Sequence, residues 1–192
     1  MAEENNKTMS AAGVAALVDG LSASSRRHRQ EVSQDIAAVA AKDPSLLAGH
    51  VDALDRPEAQ TRWEVLDALS TMTDAYADQV SAAFDGAEAS LFDDDSATVR
   101  LAAFLFLCRL GATSPESSDE VWPLLDEAIQ CYHGDAEYRD MLEGLLAFAG
   151  GNISKKTAKE LVSRVKFDAE SGNGYIKQFS GDILAVAKGK TK

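Results

Sequence analysis

The feature that most constrains this chain is a pattern that recurs five times. A basic residue opens it, and apolar residues follow at the spacing of one helix face. Arg100 leads Ala103, Phe106, Leu107 and Leu110. Arg62 leads Val65, Ala68, Leu69 and Met72, and Arg139 leads Leu142, Leu145, Leu146 and Ala149. Arg29 leads Val32, Ile36 and Val39. Lys177 leads Ile183, Leu184 and Ala187, with Ser180 the weak member. The five basic residues stand 33, 38, 39 and 38 residues apart. Positions three, six or seven, and ten apart share one side of an α-helix, so each copy predicts an amphipathic helix. Four or five residues before each basic residue stands a residue suited to a helix start: Ser25, Glu58, Asp95, Asp135 and Asn173. Ser, Asp and Asn side chains accept hydrogen bonds from free first-turn amides, and Glu58 suits the first turn electrostatically behind Pro57.

Partner helices are expected near 10–21, 44–54, 78–92, 118–133 and 154–168. Asp43-Pro44, Ser117 or Ser118, and Ser154 supply their starts. Breaks fall at 20–25, 55–57, 111–115, Gly134, 150–152 and 170–174, where Gly, Pro, Ser and Asn gather. Alternating β-branched runs are absent from the sequence, so no sheet is expected. One helix pair cannot bury its apolar stripe alone, but stacked pairs share a continuous core. The expected repeats are approximately 10–42, 43–75, 78–111, 117–150 and 153–188, together one all-α domain.

The unit Asp-x-x-x-Val-Arg-x-x-Ala, as in Asp95 to Ala103, resembles the second helix of a HEAT repeat. The resemblance runs through nearly the whole chain and is strongest in the third copy. It implies a right-handed α-solenoid of about five HEAT-like hairpins, with second helices on the concave side. It also implies that Arg62, Arg100 and Arg139 form a structural ladder, each tied to a loop acid of a neighbouring repeat.

Helix geometry extends the reading. With the core at −1, +3, +6, +7 and +10 from the basic residue, positions +1, +5 and +8 point the opposite way. The +1 row reads Gln30, Trp63, Leu101, Asp140, Gln178. The +5 row reads Gln34, Asp67, Leu105, Gly144, Asp182, and the +8 row Ala37, Ser70, Cys108, Ala147, Ala185. The middle of the inner surface should therefore present Trp63, Leu101 and Leu105 beside Asp67 and Asp140. Such a surface suits a partner protein or peptide, with the large apolar groups as anchors and the acids giving orientation. The alternative is that curvature packs these side chains against adjacent second helices.

Charge and motifs narrow the function. The chain carries 31 acidic and 19 basic residues, a net of −12, so phosphate backbones are repelled and nucleic acid is an unfavourable partner. Residues 151–192 reverse the balance with nine basic and four acidic residues. That basic end could drive salt-sensitive self-association with an acidic face. His28, His50 and His133 stand at no metal-ligand spacing. No HExxH, CxxC, GxSxG or phosphate-cradling glycine loop occurs, so no metal, cofactor or catalytic residue is expected. Asp93-Asp94-Asp95 reads as solvated loop acid plus cap. Trp63-Glu64-Val65-Leu66-Asp67 resembles the Trp-x-x-x-Asp motif of HEAT-like alkylpurine DNA glycosylases. That resemblance would give Trp63 a lesion contact and Asp67 the stabilisation of a cationic sugar. Cys108 and Cys131 lack motif spacing and are expected as free thiols, though a disulfide between them stays open. The longest apolar run, Leu101 to Cys108, is far short of a membrane span. The acidic N-terminus is unlike a signal peptide, and the expected location is the cytoplasm.

Overall fold

The structure, a computed structural model, describes Asp43 and residues 48–191. The first expected repeat and its Arg29 helix lie outside those residues. Helix α1 (Ala48–Val51) runs into a 3-10 turn at Asp52–Asp55, and α2 (Ala59–Ser70) follows. Then come α3 (Thr73–Val80), a 3-10 turn at Ser81–Ala83, α4 (Phe84–Leu91), α5 (Ala97–Gly111) and α6 (Pro115–Cys131). The series ends with α7 (Tyr138–Gly150), α8 (Lys155–Ser171) and α9 (Gly174–Lys190). Every element among the described residues is helical.

The second helices α2, α5, α7 and α9 pack side by side in chain order, while α4, α6 and α8 form the other layer. The core is the stripe that the repeat pattern marks. Of the twenty positions at −1, +3, +6, +7 and +10 on these four second helices, seventeen are buried, and Leu146, Ile176 and Leu184 are half-buried. Thr61, Val65, Ala68 and Leu69 on α2, with Met72 just past its end, fill the first set; Val99, Ala103, Phe106, Leu107 and Leu110 fill the next, on α5. Each large apolar side chain so buried contributes roughly 1.5–3 kcal/mol.

The helix starts differ from expectation in three places. Helix α7 begins at Tyr138 with Glu137, rather than Asp135, at its cap position. The cap of α5 is Ser96, whose Oγ accepts the Val99 N–H at 3.3 Å; Asp95 stands one residue before it. Asp93 supports this start, its Oδ1 accepting the amides of Asp95 at 3.0 Å and Ser96 at 2.7 Å. Helix α6 begins three residues before its expected start, because Ser114 accepts the Ser117 amide and Pro115 occupies the first turn. Ser118 does not cap: its Oγ donates to Pro115 O and accepts the Ser154 amide of the next repeat. The span expected as one helix at 78–92 is broken into α3, a 3-10 turn and α4, and Tyr76 lies off helical geometry at φ −137°. The broken course keeps Val80, Ala83, Ala87 and Leu91 fully buried. It also lets Leu54 lie so close to Gly86 that a β-carbon there would stand 2.8 Å from Leu54 Cδ1. Tertiary packing thus overrides a helical periodicity that is locally continuous.

Hydrogen bonds join groups one repeat apart, 35 to 41 residues along the chain. Thr157 and Ser154 donate to Asp119 Oδ1, Tyr132 to Leu91 O, Arg109 to Ser70 O and Lys190 to Gly150 O. Arg109 and Lys190 therefore place positive charge on the carbonyl ends of the preceding second helices, where the helix dipole is negative. Ser154 has two tasks, capping α8 through the Thr157 amide at 2.9 Å and binding Asp119. Ser154→Ala should cost about 1–2 kcal/mol, read as a lower urea midpoint at unchanged slope. An unchanged midpoint would show that water replaces both bonds.

Two rungs of the arginine ladder are in place. Arg62 Nη1 lies 2.6 Å from Asp93 Oδ2, so this loop acid is an ion-pair partner rather than merely solvated. Arg100 donates to Glu137 Oε1 from Nε at 3.2 Å and Nη2 at 2.7 Å, and to Asp93 O from Nη1 at 2.8 Å. Its guanidinium also lies 4.8 Å from the centre of the Tyr132 ring. Arg139 departs from the expected third rung: it is exposed and makes no ion pair among the described residues. In that stretch pairing passes to the other layer, with Arg164 on Asp126 at 2.5 Å and His133 Nε2 3.1 Å from Asp168. The last repeat keeps the backbone half of the rung. Lys177 donates to Glu170 O, seven residues back, as Arg100 does to Asp93 O.

Candidate binding groove

The consecutive second helices leave a groove of about 850 Å³ along their outward faces. Helix α2 and the start of α3 contribute Asp67, Ser70, Thr71 and Asp74. Helix α5 contributes Leu101, Leu105, Cys108 and Arg109, and α7 contributes Asp140, Glu143, Gly144 and Ala147. Four of the five residues singled out in the sequence therefore share one cavity. Trp63 is the exception: it is half-buried on α2 and lies outside the groove's lining. Of the Trp-x-x-x-Asp pair, one turn apart on α2, Asp67 lines the groove and Trp63 does not.

The floor is apolar. Leu101 and Leu105 are half-buried and present part of their surface to the groove. Leu105 spans the gap between α5 and α7, where a β-carbon on Gly144 would stand 2.5 Å from its Cδ2. Glycine at this point lets the leucine lie down onto α7. Cys108 lies beneath, and burial pushes its thiol well up, which keeps the sulfur protonated and its contribution apolar. Cys131 is exposed at the end of α6, and both cysteines are free.

The walls are acidic. Asp67, Asp74, Asp140 and Glu143 are exposed and form no ion pair among the described residues. Elsewhere the acids at Asp93, Glu137 and Asp126 are taken by arginines. Among the described residues lining the groove the one basic side chain is Arg109, which is turned to Ser70 O at 3.2 Å. Among the described residues no group of three or more His, Cys, Asp or Glu side chains comes together to hold a metal, and no helix is long and apolar enough to cross a membrane.

Asp74 and Glu143 were not singled out from sequence, yet the helical wheel holds a signal for Asp74. Position +12 falls on the same face as +1, +5 and +8. It reads Asp74, Ala112 and Gly151, all of which line the groove. Glu143 stands at +4, where α2 and α5 bury Leu66 and Phe104, so its charge marks a break in the core stripe.

No family model and no curated protein sequence matches this chain. Solved structures do. A designed armadillo repeat protein in complex with the peptide (KR)4 superposes with a TM-score of 0.62 at 15% identity, covering 92% of this chain and 82% of that one. A second designed armadillo repeat protein gives 0.60 at 16% identity, covering 92% and 82%. Computationally designed armadillo repeat proteins for modular peptide recognition give 0.59 at 16%, covering 91% and 82%. The fold is a right-handed, HEAT/armadillo-like α-solenoid. At these identities the likeness concerns architecture alone. Within the solenoid the groove occupies the surface made by the second helices.

Proposed function

We propose that this solenoid is a protein-interaction scaffold that holds a segment of a partner protein in the groove of α2, α5 and α7. The observation that carries the reading is the combination of half-exposed Leu101 and Leu105 with four exposed carboxylates, none ion-paired among the described residues, around one groove. Burying the leucines supplies affinity, and Asp67 and Asp140 orient the segment. Apolar side chains that an interface removes from water contribute affinity in proportion to the area they bury. The designed neighbours, described as peptide-binding, present the same architecture for that task. The acid-lined walls repel phosphate backbones, which favours a polypeptide over nucleic acid.

The test is selection of random peptides displayed on phage against the immobilised full chain, followed by affinity measurement on Leu105→Ser. Leu105 is half-buried, so the variant should keep its fold, checked by circular dichroism. Selected peptides should bind it at least tenfold more weakly, since about 1.4 kcal/mol is a factor of ten. Enrichment of peptides that bind both proteins equally would place the site elsewhere on the solenoid.

A further inference from the structure

We infer that the occupant of the groove is an extended segment in which cationic side chains flank a pair of apolar ones. This rests on the peptide-binding reading above and specifies the partner's chemistry. The carboxylates are not scattered over the groove. Asp67 and Asp74 stand on the α2–α3 side, and Asp140 and Glu143 stand on α7. Leu101 and Leu105 lie between, on α5. By repeat position, two rows of lining residues cross the groove. One runs from Asp67 over Leu105 to Glu143, at repeat positions +5, +5 and +4. The other runs over Leu101 to Asp140, both at +1.

Adjacent packed helices lie about 8–10 Å apart, so the walls on α2 and α7 are separated by about 18 Å. An extended chain advances about 3.3 Å per residue and turns alternate side chains to one face. Two residues six apart therefore span about 20 Å, with two intervening side chains facing the same way. The matching pattern is Lys-x-Leu-x-Leu-x-Lys, in which arginine could replace either lysine. Its ammonium groups reach opposite walls while its leucines lie over the apolar α5 floor between them. The reverse order would press cations onto an apolar floor and leave four carboxylates unpaired, at a desolvation cost with no compensation.

The experiment compares three fluorescein-labelled peptides by anisotropy against the full chain. One is Ser-Lys-Ser-Leu-Ser-Leu-Ser-Lys-Ser. The second is its inside-out isomer, Ser-Leu-Ser-Lys-Ser-Lys-Ser-Leu-Ser, and the third carries Glu in place of Lys in the first. The cation-flanked peptide should bind at least tenfold more tightly than the isomer, and the Glu peptide should not bind. The double variant Asp67→Asn with Glu143→Gln should abolish the preference, and raising salt from 50 to 500 mM should shrink it. Equal binding of the two lysine isomers, both weakened in Leu105→Ser, would overturn the charge arrangement and leave the groove reading standing. A preference for the Glu peptide would overturn it as well. No dependence of any peptide on Leu105 would overturn both readings.

Discussion

Replacing Phe148 by alanine should lower the unfolding free energy by about 4 kcal/mol. Phe148 is fully buried on α7, and its ring stacks on Trp122 of α6 with centroids 6.3 Å apart and planes 7° from parallel. The two aromatic side chains bridge the two helical layers of one repeat, and Phe148 also backs the groove. Truncation forfeits the transfer free energy of the ring and leaves a cavity between two helices whose positions are set by their other neighbours. Repeat solenoids couple mainly through neighbouring interfaces, so a loss here should also reduce the cooperativity of unfolding. Denaturant titration followed by circular dichroism measures both. The exposed neighbour Ala147 provides the control, because Ala147→Ser should change stability by no more than about 0.5 kcal/mol. A loss below about 1.5 kcal/mol in Phe148→Ala would mean that Trp122 swings into the void and that the stack is not a rigid joint.

Removal of Glu137 should have the second largest effect. The carboxylate is buried at the start of α7 and takes two hydrogen bonds from Arg100. Glu137→Ala leaves the Arg100 guanidinium in a site only 14% exposed, without its charge partner. Stranding one member of such a pair costs about 3 kcal/mol. The same pair shapes the acid limb of stability. Burial works to raise the Glu137 carboxyl, but the hydrogen bond and charge of Arg100 outweigh it, so the group titrates below its usual 4.5. At Asp93, burial is likewise outweighed by Arg62 and by the amides of Ser96 and Asp95, and the carboxyl lies below 3.8. A carboxyl that is more acidic in the folded chain stabilises it fully above the unfolded pKa. That contribution disappears as pH falls through the folded value. Stability should therefore hold down to about pH 4.5 and decline below it, and the decline should be shallower in Glu137→Gln. Superimposable acid limbs for the two proteins would show that the pair does not govern the response.

The rest of the ladder shows where sequence reasoning stops. Arg62, Arg100 and Arg139 occupy one repeat position, yet among the described residues only the first two reach a carboxylate. A repeat position specifies where a side chain begins, but its partner comes from the next repeat's loop. Asp93 and Glu137 meet that need, whereas near Arg139 the pairing passes to Asp126 and Asp168 in the other layer. The same distinction separates Trp63 from Leu101. Both stand at +1 and both are half-buried, but Leu101 lines the groove and Trp63 does not.

The periodicity by itself determined that the chain is helical, which face of each second helix is buried, and which residues turn away from the core. Those properties follow from 100° of rotation per residue and from the cost of leaving an apolar stripe in water, both of which act within a few turns. Tertiary structure alone decided that Asp67, Leu101, Leu105 and Asp140 share a groove while Trp63 does not. It also decided that 78–92 bends and that Ser118 binds the next repeat instead of capping its own helix. Each of these outcomes depends on where a segment some forty residues away comes to rest, and no local spacing encodes that distance.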